Sequence, residues 1–136
     1  MKRTWPLVII LLFAGCAEPE KEHTEEVGAL SRTEFTDRVE NFFEYTPLKS
    51  GATSRFLIHL TDLNDGTPVE EAKVNLTIRE NGSGNVVSQI ESRVGRVTGI
   101  YVADVTISKP GNYNIEFHIK NNKLDERLPL TDFKVE

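Results

Sequence analysis

The chain has 136 residues, 38% of them hydrophobic and 27% charged, with a formal net charge of −5. That length fits one domain of ordinary size, and the apolar fraction supports a core, which excludes wholesale disorder. The acidic balance argues against a nucleic-acid partner, and a single cysteine excludes an intrachain disulfide or a cysteine-rich zinc cluster.

The chain opens with Lys2 and Arg3, followed by an unbroken apolar run from Leu7 to Ala14. Eight helical residues reach only about 12 Å, far short of the ~30 Å hydrocarbon layer, so the run reads as the apolar core of a secretion signal and not as a membrane span. It ends in Phe13-Ala14-Gly15-Cys16, with the sole cysteine last. This ending resembles the lipobox of bacterial lipoproteins, although Phe13 stands where leucine is most common. The resemblance implies a signal peptide over residues 1–15 and lipidation of Cys16, which becomes the mature N-terminus. It also implies a cell-envelope location facing the periplasm, with the membrane contacted through the lipid. Ala17 after the cysteine, rather than Asp, favours the outer membrane under enterobacterial sorting.

Residues 17–33 carry five glutamates against Lys21 and Arg32 and almost no large apolar side chain. Such a segment buries too little surface to offset chain entropy, so residues 16–33 read as the lipidated cysteine and a flexible acidic tether. The folded domain is expected over residues 34–136.

From Glu34 onward, apolar and polar residues alternate with the period of a half-buried strand. Phe56, Ile58 and Leu60 form one apolar phase, and Val74, Leu76 and Ile78 another. Tyr101, Ala103, Val105 and Ile107 form a third, and Tyr113, Ile115, Phe117 and Ile119 a fourth. Weaker strands are expected over Val39–Tyr45, Val86–Val94 and Leu128–Val135. In the first of these, Phe43 and Tyr45 share a face and Phe42 takes the other. One face belongs to the core; the other is an aromatic contact or is covered by the C-terminal strand. The last strand changes phase at Thr131-Asp132, where a β-bulge would restore its inward face.

Turn residues separate these runs: Pro47 and Gly51, Asn64 to Pro68, Asn81 to Asn85, Pro110 to Asn112, and Asn121-Asn122. About seven short strands divided this way predict an all-β, immunoglobulin-like antiparallel sandwich without substantial helix.

Two segments carry a family resemblance. Phe35-Thr36-Asp37 leads through Phe42-Phe43-Glu44-Tyr45-Thr46 to Pro47-Leu48, and Ser54-Arg55-Phe56-Leu57-Ile58-His59-Leu60-Thr61-Asp62-Leu63 is followed by Pro68-Val69. Together they resemble the N-terminal β-domain of periplasmic adaptor subunits of resistance-nodulation-division (heavy-metal) efflux systems. The stretch from Gly99 to Tyr113 resembles, more loosely, immunoglobulin-like bacterial domains found near copper and cytochrome-assembly proteins. The adaptor resemblance implies the sandwich fold and an accessory role in metal-cation efflux. The chain stops where the barrel, lipoyl and helical-hairpin segments of such adaptors begin, so their bridging role is not implied.

No catalytic constellation emerges. Ser83 lies in a hairpin turn and not on a strand-to-helix elbow, and no phosphate loop precedes a helix. His59 and His118 fall on the outward phases of strands expected in opposite sheets, so they are not expected to share a metal. His59 with Asp62 could supply half of an intermolecular site. The chain therefore reads as a non-enzymatic interaction module without a cofactor, binding another envelope protein. Arg55, His59, Thr61 and Asp62 are its candidate contact surface. A periplasmic metal- or small-ligand-binding lipoprotein and a structural envelope lipoprotein are the alternatives.

Overall fold

The computed structural model describes residues 28–136. The signal peptide, Cys16 and the tether through residue 27 lie outside the described residues.

Nine strands follow one another without helix among the described residues: β1 (Leu30–Phe35), β2 (Val39–Tyr45), β3 (Thr53–Asp62), β4 (Lys73–Glu80), β5 (Val86–Glu91), β6 (Arg93–Val94), β7 (Ile100–Thr106), β8 (Gly111–Lys120) and β9 (Asp125–Val135). They form two antiparallel sheets, one in the order β1-β2-β3-β7-β6 and the other β5-β4-β8-β9. The all-β sandwich expected from the alternation is therefore the observed fold, with two more strands than the sequence indicates.

Those two strands correct the expected boundaries. Leu30–Phe35 pairs antiparallel with β2, Arg32 opposite Phe43, so the fold begins inside the segment read as tether. The run expected as one strand over Val86–Val94 breaks at Ser92. Before the break it pairs with β4; after it, Arg93 and Val94 pair with β7 in the other sheet. The Ser92 amide donates to the Val74 carbonyl at 2.9 Å, holding the chain where it crosses between layers.

The core follows the alternation. Every inward-phase residue of the four strong runs is buried, from Phe56 and Ile58 to Phe117 and Ile119. Phe43 and Tyr45 join them. The Phe43 ring centroid lies 5.0 Å from Phe117 and 5.8 Å from Phe56, so one β2 side chain ties both sheets together. Phe42, on the other phase, is half-buried on the outer face.

The bulge sits where the phase changes. Tyr113 pairs with Phe133 and Ile115 with Leu130, leaving Thr131 and Asp132 opposite one residue of β8. Asp132 takes φ 68°, the left-handed conformation that Asp tolerates better than most residues. Phe133 and Val135 are thereby returned to the core.

One turn fixes the β3–β4 end of the sandwich. The Tyr101 hydroxyl donates to the Val69 carbonyl at 2.8 Å and accepts from the Ala72 amide at 3.1 Å. Gly99 packs beneath the same loop with φ 82°, where an added Cβ would lie 2.6 Å from the Pro68 Cβ.

Candidate functional site

The two outer faces of the sandwich differ in chemistry. On the four-stranded sheet, registers align Asn75 with His118 and Arg127, and Thr77 with Glu116 and Pro129. Across β4, β8 and β9 that face is polar and crossed by ion pairs, with Val86 and Val87 exposed on β5 at its edge: His118 Nε2 lies 2.7 Å from Asp125 Oδ1, and Arg127 Nη1 lies 2.8 Å from Glu116 Oε1. The hydrogen bond from His118 holds the Asp125 carboxyl below the usual carboxylate range.

The outer face of the five-stranded sheet is different. One cross-strand row reads Ser31, Glu44, Leu57, Val102 and Arg93. The next reads Thr33, Phe42, His59 and Ile100. Phe42, Leu57, Ile100 and Val102 thus form a half-buried apolar patch across three strands, with Phe35 exposed at its edge. Antiparallel sheets tolerate water on one face when that face is polar; an apolar patch there is the informative case.

Charged groups frame the patch. Arg55 Nε donates to Asp104 Oδ1 at 3.0 Å, and Arg93 Nη1 donates to Asp104 Oδ2 at 2.9 Å. These two guanidinium bonds, Arg55 first, hold the Asp104 carboxyl below its ordinary range. The His59 ring packs 5.3 Å from the Phe42 ring. Its Nε2 is shielded from solvent and lies 3.7 Å from Glu44 Oε2, beyond hydrogen-bond reach.

Of the four sequence-derived contact residues, Arg55, His59 and Thr61 share this face. Asp62 does not. It follows the inward phase of Phe56, Ile58 and Leu60 and is buried, with its Oδ1 accepting from the Asn64 amide at 2.9 Å. An aspartate at the end of a strand finds its partner in the following turn, and this one closes the turn rather than facing a partner. For the same reason His59 and Asp62, three residues apart on one strand, point to opposite sides and do not form half of a metal site.

His59 on β3 and His118 on β8 stand in opposite sheets, as expected from their places in the strand order. Among the described residues, no three His, Cys, Asp or Glu side chains converge as a metal site. A hollow of about 370 Å³ at one end gathers Asp62, Asp65, Glu70 and Glu71 beside Lys123. Asp65 there is engaged by Thr67, whose hydroxyl donates at 2.6 Å.

Three of the four sheet edges are poorly suited to strand addition, and the fourth, β1, leaves the outer side of Leu30–Phe35 unpaired. The β9 edge carries Pro129 and the Asp132 bulge, β6 has two residues, and β5 has a register shift opposite Ile78/Arg79. The apolar patch makes a face contact the geometry this sheet offers besides its β1 edge. Glu44, Arg93 and Asp104 were missed in the sequence because their place on the face depends on strand order. Leu57 and Val102 carried a local signal, each being apolar in the polar phase of its strand.

No protein-family model matches the chain, and no curated protein matches it. Two solved structures share its fold. One is FetP of uropathogenic Escherichia coli strain F11, crystallised after expression in the periplasm. It is 12% identical, covers 80% of this chain and 97% of its own, and has a TM-score of 0.53. The other, a DUF4426 family protein from Pseudomonas aeruginosa PAO1, is 14% identical, covers 78% and 97%, and has a TM-score of 0.54. At such identities the likeness establishes the two-sheet β fold; function rests on the site.

Proposed function

We propose that the chain is a lipid-anchored interaction module of the bacterial cell envelope, accessory to a metal-cation efflux system and without catalytic activity. The observation that carries the reading is the asymmetry of the two outer faces. One is polar and ion-paired across β4, β8 and β9, with exposed valines only on its β5 edge; the other presents Phe42, Leu57, Ile100 and Val102 at its centre inside a charged frame. That is the anatomy of a contact patch: an apolar centre and a polar rim.

The anchor rests on the apolar run ending at Cys16, and the outer-membrane assignment on Ala17. The periplasmic expression of FetP fits the same compartment. The efflux role rests on the resemblance of Phe35–Leu48 and Ser54–Leu63 to the adaptor domain. These segments contain β2 and β3, adjacent strands that supply Glu44, Phe42, Leu57 and His59 to the face.

The test is photo-crosslinking in intact envelopes from a reactive residue at Thr61 on this face, compared with one at Thr77 on the polar face. Thr61 should yield an adduct with a component of a metal-cation efflux system, identified by mass spectrometry, and Thr77 should not. Equal adducts from both faces, or none from Thr61, contradict the reading.

A further inference from the structure

We propose that a second copy of this chain covers the outer face of the five-stranded sheet, through a two-fold axis running along the strands between β3 and β7. The proposal rests on the reading of that face as a contact surface; the pairing is reversible, so a second copy and the efflux component occupy the face in turn.

The argument is the pattern of the rows. A two-fold axis along the strands leaves each row at its own height and reverses it from left to right. Across the β3/β7 line, the row Glu44, Leu57, Val102, Arg93 then pairs Leu57 with the partner copy's Val102 position and Glu44 with its Arg93 position. Apolar meets apolar at the centre, and acid meets base at both rims. The row below pairs Arg55 with the facing copy's Asp104 position, again with opposite charge.

The row above adds a fit of shape. The β6–β7 register continues past Val94, with the Gly95 amide donating to the Ile100 carbonyl at 2.7 Å, so Gly95 falls in the row of Phe42, His59 and Ile100. Reversal sets the Phe42 ring over a position without a side chain. A two-fold axis across the strands would instead oppose each strand to itself, losing the match of Glu44 with Arg93.

The chain outside the described residues points the same way. Rotation about the strand direction keeps both copies' Leu30 ends at one end of the pair. Two tethers leaving from one end suit two lipid anchors in one membrane. Sheets packed face to face cross at about 30°, which preserves this arrangement.

Strand and residue spacings give the face an area on the order of 500 Å² per copy, the small end of specific interfaces, so the pairing is reversible. Its test is sedimentation of the full chain in density-matched detergent micelles from about 1 to 100 µM, a range suited to such a small interface. The wild type should pass from monomer to dimer. Glu44→Arg and Arg93→Glu should each weaken the dimer at least tenfold, because each sets like charges together. The double variant should recover to within about threefold, since the swap restores opposite charges. Should either variant lose its β circular dichroism, Glu44→Gln and Arg93→Gln replace them, with roughly threefold or greater weakening expected as the charge pair is lost. A monomer at 100 µM, a dimer indifferent to the single variants, or a double variant without recovery overturns the proposal. A monomeric wild type that still yields an efflux-component adduct from Thr61 removes the dimer and leaves the contact face standing. Absence of both removes both.

Discussion

The guanidinium carbon of Arg32 lies 4.7 Å from the centroid of the Phe133 ring, joining the first strand of one sheet to the last strand of the other. Arg32 Nη1 also donates to the Thr131 carbonyl at 3.0 Å, and its Nη2 meets Glu34 Oε1 at 2.7 Å. One side chain therefore caps the gap between β1 and β9 and covers a core aromatic.

Arg32→Ala should cost about 1–2 kcal/mol, combining a cation–π contact with a hydrogen bond to a carbonyl. Arg32→Lys should recover less than half, because an ammonium cannot stack and donate in the same plane. Urea unfolding of both variants checks this; full recovery by Lys would contradict the stacking account.

The same residue explains what was legible in the sequence. The central strands announce themselves because alternation is local: Phe56, Ile58 and Leu60 are inward whatever lies beside them. Leu30–Phe35 has no such pattern. It is a strand because it pairs with β2 and because Arg32 reaches Phe133, 101 positions away, and no local reading contains that contact. The crossing at Ser92 is likewise a matter of which sheet receives the next two residues. On the site, the outward placement of His59 and Thr61 follows from phase. Asp62 obeys the same phase and is inward; a polar residue at a strand end invites the opposite reading until its turn partner is seen. The opposition of Glu44 and Arg93 across the face depends on strand order, which periodicity does not encode.

Gly99→Ala should be strongly destabilising. The residue holds φ 82° and its added methyl would meet the Pro68 Cβ at 2.6 Å. The cost is on the order of 2–3 kcal/mol. A thermal melt should show a fall of roughly 10 °C or more; an unchanged melt would mean that the β3–β4 loop moves aside freely.

Asn41 is fully buried, and neither its side-chain oxygen nor its nitrogen finds a hydrogen-bond partner among the described residues. Asn41→Leu, close in shape, should be neutral or stabilising by up to about 1 kcal/mol, since it removes two unpaired polar atoms. Chemical denaturation measures it, and a loss above about 1 kcal/mol would show that the amide is engaged.

Asp104 gives the outer face of the five-stranded sheet an acid-side dependence of stability. Its folded carboxyl titrates below the ordinary value because Arg55 and Arg93 donate to it. Stability from this group is therefore present above the unfolded value of about 3.9 and is lost as pH falls through the lowered folded value. The melting difference between wild type and Asp104→Asn should be positive at pH 6 and vanish near pH 2. A difference that persists at pH 2 would assign the effect to packing. The group is exposed, so the difference is small.

Cys16→Ser should release the chain from the membrane fraction, and mass spectrometry of the mature N-terminus should find an acylated cysteine at that position. Unchanged membrane association of the variant would end the lipid-anchor account.

The central claim, that the outer face of the five-stranded sheet is the contact surface, is tested most directly by setting Leu57→Lys against Thr77→Lys. Each puts a lysine at a half-buried outward position, one on the apolar patch and one on the polar face. Both chains should keep their β circular dichroism, since surface changes cost little stability. In crosslinked envelopes, the account predicts that Leu57→Lys loses the efflux-component adduct at least tenfold while Thr77→Lys retains it, a loss expected when a charge is buried at a contact centre. Equal adduct yields from the two variants would contradict it.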